Sequence, residues 1–195
     1  MLLDYIINNV WICVILWAVL YASDYMLTIV GARLYQQGVQ KYIYFEKGYE
    51  LNPYFEKDVA QLKLFSSRFV FMLLGTSASI FIARLALDIV FKSSPAMQLK
   101  MFEIVAGCFI LMELAIHGRH FRNILFFKKL MRSLGIDGRI EYSRWLSHYM
   151  SSIELLWSAF FYFIIFLLTG RFFFIGGALS CLAVASKSEK IAQKK

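Results

Sequence analysis

The chain has 195 residues, of which 59% are hydrophobic and 17% aromatic, and its formal net charge is +8. A soluble domain is about 45–50% apolar, so this composition excludes an ordinary soluble domain and indicates a membrane protein. In a membrane protein, basic residues are expected to gather on the cytoplasmic side, so the positive charge requires no nucleic-acid partner.

Five apolar blocks predict membrane-spanning helices, because a helix needs about 20 apolar residues to cross the hydrocarbon core. The predicted spans are residues 10–32, 69–91, 97–117, 152–168 and 172–185. The fifth block is short, and the alternative for it is a segment that enters the bilayer without crossing it. The predicted fold is an all-α polytopic membrane helix bundle that forms a single domain, residues 1–195.

The distribution of basic residues predicts the orientation of the bundle. Seventeen Lys and Arg lie in residues 33–68, 119–144 and 187–195, against three in the connections of the opposite side. The positive-inside rule therefore places the N-terminus outside and the C-terminus in the cytoplasm. We expect the cytoplasmic (inner) membrane of a bacterium or archaeon. The expected partner is the lipid bilayer, with a second copy of the chain or another membrane protein as further candidates.

Three carboxylates inside separate apolar blocks are the main functional signal, because an ionisable group within lipid is costly. Residues three, four and seven apart share one helical face. Asp24 thereby shares a stripe with Thr28, and Glu113 with His117 and His120, while Glu154 lies among serines of the fourth block. The alternating direction of the helices predicts that the three carboxylates meet near the cytoplasmic face.

This cluster leaves three chemical interpretations open. Carboxylates with imidazoles suit a divalent transition metal, and the candidate ligands are Asp24, Glu113, His117 and His120. A buried carboxylate beside a histidine also suits a proton relay. In the structural interpretation the histidines are interfacial residues, and the acids hold helices together through hydrogen bonds.

Two charged residues near the other end of the second span predict a structural ion pair. Arg84 and Asp88 are one helical turn apart, and Glu103 of the third span is a further candidate partner for Arg84. Pairing of this kind largely offsets the cost of an arginine inside the membrane. After the third span, Arg119–Arg132 mixes bases with aromatic residues, which is typical of a helix on an anionic lipid surface.

A sequence pattern in the first third of the chain resembles a family of small bacterial and archaeal membrane proteins of unknown function. The pattern is D-x3-T at a helix end, here Asp24 and Thr28, followed by E-x-N-P, here Glu50, Asn52 and Pro53. The connection from Thr28 to Glu50 is longer than in that family. The resemblance implies a shared polar corner and no particular activity.

Glu50 and Asn52 could fold back over the Asp24 stripe, or the same segment could simply start the next helix. With the first of these alternatives, the predicted polar corner comprises Asp24, Thr28, Glu50, Asn52, Glu113, His117, His120, Asn123 and Glu154.

Three functions are compatible with such a corner. The first is an integral membrane protein without catalytic activity whose corner organises the bundle or docks a partner; it predicts that every buried carboxylate is hydrogen-bonded and that no cavity adjoins it. The second is a membrane-embedded metal-dependent hydrolase that uses Asp24, Glu113, His117 and His120 and keeps one metal position open for water. The third is a small proton-coupled transporter, which predicts a polar path from the corner to Arg84 and Asp88.

Overall fold

The computed structural model describes residues 2–46, 48–132 and 138–193. Its helices are α1 (Leu2–Asn8), α2 (Val10–Gln37), α3 (Glu56–Ala60), α4 (Ser67–Val90), α5 (Pro95–Arg132), α6 (Arg144–Thr169) and α7 (Phe172–Gln193). Two three-residue strands, β1 (Ile43–Phe45) and β2 (Ile140–Tyr142), complete these elements together with a 3-10 turn at Val39–Lys41. The predominantly helical class predicted from the sequence is confirmed.

Four helices are long and apolar enough to cross a membrane, namely α2, α4, α6 and α7. Their outward faces are strongly apolar: Phe71, Ile89 and Leu168 are all more than two-thirds exposed. Exposed apolar surface of this extent requires lipid or a partner to cover it. The predicted third span lies within α5, which is not among the four. The fifth block is longer than the sequence predicted, because α7 continues to Gln193.

Local signals explain where several helices begin and end. The side chain of Asn9 caps α2 by accepting from the backbone N–H of Trp11 at 3.1 Å. Ser66 caps α4 in the same way through the N–H of Phe69, at 3.0 Å. Gly170, with φ +67°, ends α6 in the left-handed conformation that glycine adopts without a Cβ penalty. The tight turn that follows lets α7 return directly along α6.

Small residues allow α5 and α7 to pack with their backbones in close contact. A Cβ on Gly107 would overlap the carbonyl of Phe173, and a Cβ on Gly176 would overlap the carbonyl of Ile104. Gly177 lies equally close to the Leu111 side chain. The small-residue face of α7 is therefore used within the chain, as in other close-packed membrane helices. The packing of α5 against α7 and α2 buries the acids Glu103 and Glu113.

Two polar ends lie on either side of a buried apolar layer. At one end, which we call the Arg171 end, α2 begins and the α6–α7 turn lies. At the other, which we call the His120 end, α2 finishes and the second half of α5 meets the start of α6. Between them the layer is filled by buried side chains that include Cys13, Trp17, Ile80, Phe102 and Ile110.

A short parallel strand pair, which the sequence did not predict, closes the His120 end. β1 pairs with β2 in the register Ile43 to Ile140 and Phe45 to Tyr142. The buried side chains of Tyr35, Ile43 and Phe127 anchor β1 against α2 and α5. This pairing holds the connection after α2 against the segment that leads into α6, and so covers part of the His120 end.

Candidate functional site

Packing of α2 against α5 brings two acids and a histidine together. Asp24 of α2 meets Glu113 and His117, which are one turn apart on α5. One oxygen of each carboxylate and one ring nitrogen of His117 all lie within 4.8 Å of one another. Ligands at about 2.1 Å from a tetrahedral ion are about 3.4 Å apart. Side-chain movements that shift the ligand atoms by about 1 Å would therefore bring these three residues to metal-binding distance.

The hydrogen bonds of His117 orient its ring toward this cluster. Its Nδ1 lies 2.7 Å from the backbone carbonyl of Glu113, which can only accept, so Nδ1 carries the proton and donates. The lone pair of a neutral ring is then on Nε2, which lies 2.7 Å from the hydroxyl of Ser23. That hydroxyl has a second acceptor, the carbonyl of Leu20 at 2.9 Å. Ser23 can therefore release Nε2 to another ligand without losing a hydrogen bond.

His120 contacts the same aspartate from the next turn of α5. Its Nε2 lies 3.1 Å from Asp24 Oδ1 and 3.2 Å from the Thr28 hydroxyl. Thr28 in turn donates to the backbone carbonyl of Asp24 at 3.0 Å. The structure thus groups three of the four proposed ligands and places His120 beside Asp24 rather than within the group of three. A histidine that holds a ligating carboxylate from outside is a common feature of metal sites.

The cluster has polar atoms without hydrogen-bond partners. Asp24 Oδ1 and Glu113 Oε2 are buried, and neither is hydrogen-bonded within the part of the chain that the structure describes, since the 3.1 Å contact of Asp24 Oδ1 with His120 Nε2 does not have hydrogen-bond geometry. The same holds for Nδ1 of His120. Buried acceptors of this kind are expensive unless a proton, a water molecule or a cation occupies the space between them. Full hydrogen bonding, the feature expected of a purely structural corner, is therefore not found among the described residues.

A cavity of about 410 Å³ adjoins the cluster. It lies above the β1–β2 pair, between the second half of α5 and the start of α6, and His120 forms the wall that it shares with the cluster. Its polar lining includes Glu50, Arg119, Arg122 and Glu154, and most of the remaining wall is aromatic or aliphatic. The volume is within the range of small-molecule sites, about 300–1,000 Å³.

Glu154 and Asn123 lie in the cavity wall rather than in the three-residue cluster. Glu154 forms an ion pair with Arg122 through one carboxylate oxygen, and its other oxygen has no hydrogen-bond partner among the described residues. Arg122 also donates to Asn123 Oδ1 at 2.8 Å. The predicted polar corner is consequently divided in two, with the acids and His117 on one side of His120 and Glu154 with its arginine on the other.

The E-x-N-P segment serves both of the roles considered for it, through different residues. Asn52 Oδ1 accepts from the N–H of Tyr54 at 3.1 Å, and Asn52 O accepts from Glu56 N at the start of α3. Glu50 instead lines the cavity, and its Oε1 accepts from the Asn52 N–H at 2.7 Å. Burial raises the pKa of Glu50, against the opposing effect of that hydrogen bond.

Arg84 and Asp88 lie at the opposite end of the molecule. Arg84 Nε is 3.0 Å from Asp88 Oδ1, and Gln98 also donates to that carboxylate. The expected link from Arg84 to Glu103 is replaced by another, because Glu103 Oε1 lies 2.8 Å from Arg171 Nη2. Arg171 is on the turn between α6 and α7, a contact that helical spacing along one segment cannot reveal.

Two contributors to the site were not among the predicted residues. Ser23 is adjacent to Asp24 in sequence but lies off its i, i+4 stripe, and only the meeting of α2 and α5 brings it to His117. Arg119 was interpreted as a base on the lipid surface. It lines the cavity instead and donates to the Ser151 hydroxyl at 2.5 Å. One indication of this position is present in the sequence, because Arg119 directly precedes His120, a residue of the predicted polar corner.

The comparisons with known proteins identify no relative. No family model matches the chain, and neither a curated protein nor a solved structure matches it. The function is therefore inferred from the geometry of the site.

Proposed function

We propose that this protein is a membrane-embedded metal-binding protein whose site supports metal-dependent hydrolysis. Asp24, Glu113 and His117 would hold a divalent ion, with His120 fixing the Asp24 carboxylate. The observation that carries the proposal is the convergence of three ligand atoms within 4.8 Å, two of them from carboxylates that each have a buried oxygen without a hydrogen-bond partner among the described residues.

The donor set indicates which ions fit. Two carboxylates and one imidazole are borderline ligands that suit zinc, manganese, iron or cobalt better than a soft ion such as copper(I). Three protein ligands also leave a coordination position open, which is typical of catalytic and not of structural zinc sites. An ion in that environment lowers the pKa of water and polarises a carbonyl or phosphoryl oxygen. The residues of the chain would bind the substrate and handle its protons.

His120 is suited to proton handling between the cluster and the cavity. Its Nε2 contacts Asp24, its Nδ1 has no hydrogen-bond partner among the described residues, and the side chain forms the shared wall. An imidazole in this position can accept a proton on one side and release it on the other. The same wall position would also shield the ion site from bulk water.

The membrane arrangement that we propose has five spans, with α5 added to the four apolar helices. The acids of α5 face α2 and α7 rather than lipid, so the helix can lie in the membrane without exposing an ionisable side chain to the hydrocarbon. The described basic residues of 33–68, 119–144 and 187–193 then flank the His120 end, which lies in the cytoplasm, and the N-terminus is outside. A bacterial or archaeal cytoplasmic membrane is the location proposed for it.

The two other functions considered receive less support. A proton path would have to join the cluster to Arg84 and Asp88 along α4, but Ser79 bonds within its own helix to Gly75 at 2.8 Å and both residues are exposed on the outer face. The apolar layer lies between the two ends. A purely structural corner would not be expected to leave Glu113 Oε2 without a hydrogen-bond partner among the described residues.

The test is the metal content of the detergent-purified protein, measured by plasma mass spectrometry. The parent chain is expected to carry near-stoichiometric transition metal, and a His117→Ala variant is expected to lose it. His148→Ala is the matched control, since His148 is also buried at the His120 end but lies outside the cluster. Metal-free parent protein after growth and purification with added metal, or equal metal in the His117 variant, would contradict the proposal.

A further inference from the structure

The cavity beside His120 has the two-sided character of a site for an amphiphile. α6 packs mainly on α7 and contacts α5 only slightly, so a gap is left between α5 and the start of α6. Apolar side chains such as Leu51, Phe126 and Met150 form one part of its wall. The gap lies where these helices meet the basic connections, which is the depth of lipid headgroups in the proposed orientation.

The polar part of the wall contains a cation without a carboxylate partner. The guanidinium of Arg119 bonds to Ser151, and no carboxylate of the described residues lies within ion-pair distance of it. Arg122, by contrast, is paired with Glu154. Glu50 lines the same cavity and interacts electrostatically with Arg119. The hydrogen bond of its carboxylate, however, comes from the Asn52 N–H.

Further groups that can donate hydrogen bonds line the cavity together with Arg119. They are the hydroxyl of Ser151 and the amide of Asn123, and the wall also contains His120, which is 94% buried by its relative exposure of 6% and whose Nδ1 has no hydrogen-bond partner among the described residues. An unpaired, partly buried guanidinium is costly, and a ligand with several acceptor oxygens would offset that cost through charge-assisted hydrogen bonds. A planar fork of N–H groups matches phosphate and carboxylate in particular.

We infer that this cavity binds the anionic head, phosphate or carboxylate, of an amphiphile, with Arg119 as the principal contact and the apolar wall of Phe126 and Met150 along its chain. As the substrate class of the proposed hydrolase, this inference rests on the proposed function. The binding itself requires no metal. The head would lie against His120, on the side opposite Asp24, and so next to the cluster.

The experiment measures equilibrium binding of radiolabelled dodecyl phosphate to the full chain in nanodiscs of neutral phosphatidylcholine. Arg119→Gln removes the proposed contact, and Arg139→Gln is the matched control. Arg139 is a half-exposed arginine of the same end that stacks on Tyr44 and does not line the cavity. We expect saturable binding that weakens by about tenfold or more in the Arg119 variant and stays unchanged in the control.

Two competitors identify which part of the ligand is recognised. Excess inorganic phosphate is expected to compete weakly, and dodecanol is expected not to compete, because head and chain are both needed. If inorganic phosphate competes as well as dodecyl phosphate, the site does not recognise the alkyl chain and the proposal of an amphiphile is wrong. If dodecanol competes equally well, the proposal of an anionic head is wrong. Binding that is the same in both arginine variants would overturn the assignment of Arg119 and with it the site.

A chelator-treated sample separates this inference from the proposed function. Arg119-dependent binding in the chelator-treated protein would uphold the anion site whether or not the untreated parent protein carries metal. Metal in the cluster without any Arg119-dependent binding would uphold the metal proposal and overturn this one. We also expect a Ser151→Ala variant to weaken binding, by less than Arg119→Gln does, because Ser151 lies beside the proposed position of the head.

Discussion

The two polar ends of the bundle differ in how their acidic side chains are partnered. At the Arg171 end, each carboxylate faces a cation: Arg171 lies 2.7 Å from Asp4 and 2.8 Å from Glu103, and Arg84 lies 3.0 Å from Asp88. At the His120 end, Asp24 and Glu113 face each other and two imidazoles. The first arrangement is what stability alone favours, whereas the second is costly unless a proton, a water molecule or a cation offsets the two facing acids.

The difference also bears on why this cavity lies at the His120 end. Ion pairs at the Arg171 end join the α6–α7 turn to α1 and α5, and so draw the helices together. At the His120 end the arginines Arg119 and Arg122 bond to α6 from α5 across the wall of an open space. In the function that we propose, the site and the stabilising ion pairs of Arg171 therefore lie at opposite ends of the same helices.

The largest expected effect comes from removing a ligand charge at the His120 end. Asp24→Asn keeps the size of the side chain but removes its charge, and we expect metal affinity to fall on the order of a hundredfold. Competition with a coloured chelator measures this affinity. Asp58→Asn, also a buried aspartate but paired with Lys63 at 3.4 Å, is the control and is expected to keep parental affinity.

Removing the shared cation at the Arg171 end is expected to destabilise the fold. Arg171→Met leaves Asp4 and Glu103 without this partner, and we expect a loss of about 2 kcal/mol in the free energy of unfolding. That is below the 3–5 kcal/mol of a fully buried pair because Arg171 is about one-third exposed. Thermal unfolding in detergent measures it. A variant as stable as the parent would show that these ion pairs contribute little.

The equivalent change at the His120 end is expected to have the opposite sign in the metal-free protein. Glu113→Gln removes a buried acid that lacks a cation, so the free energy of unfolding is expected to stay equal or rise by up to about 1 kcal/mol. The same unfolding assay is done after chelation. A clear loss of stability would indicate that Glu113 is a structural partner, and the contrast between the two ends would fail.

The smallest expected effect is a pH dependence that comes from Glu50. Because burial raises its pKa in the folded protein, the fold favours the protonated form, and its stability is expected to fall as the pH rises from about 4.5 through the raised pKa. Glu50→Gln should remove this part of the dependence and be the more stable protein at about pH 8. Glu141→Gln, at an exposed glutamate, is the control. Parallel pH profiles for the parent and Glu50→Gln would contradict this.

The helices and the polar stripes could be predicted from the sequence because both depend on local spacing. Apolar runs of sufficient length indicate spans, and the i, i+4 rule places Glu113 with His117 regardless of what packs against them. His117 joins the two acids, whereas His120 lies beside Asp24. That difference depends on how α2 and α5 pack together, which the spacing within one helix does not reveal.

Contacts between distant segments account for the rest. Glu103 turns to Arg171 of the α6–α7 turn rather than to Arg84, since the close backbone packing of Gly107 and Gly176 brings the start of α7 against α5. The strands β1 and β2 are three residues each, too short to give an alternating pattern. Arg119 was assigned to the lipid surface because a basic residue near a span end normally lies there.

The most direct test of the account is X-ray absorption at the edge of the metal in the purified parent protein. We expect a shell of oxygen and nitrogen neighbours at about 2.0–2.2 Å with the outer scattering of a single imidazole, since His117 is the one histidine in the cluster. That single-imidazole signal should disappear in His117→Ala reconstituted with the same ion. An ion bound by two or more imidazoles, by sulfur, or with a spectrum that His117→Ala leaves unchanged would contradict the account.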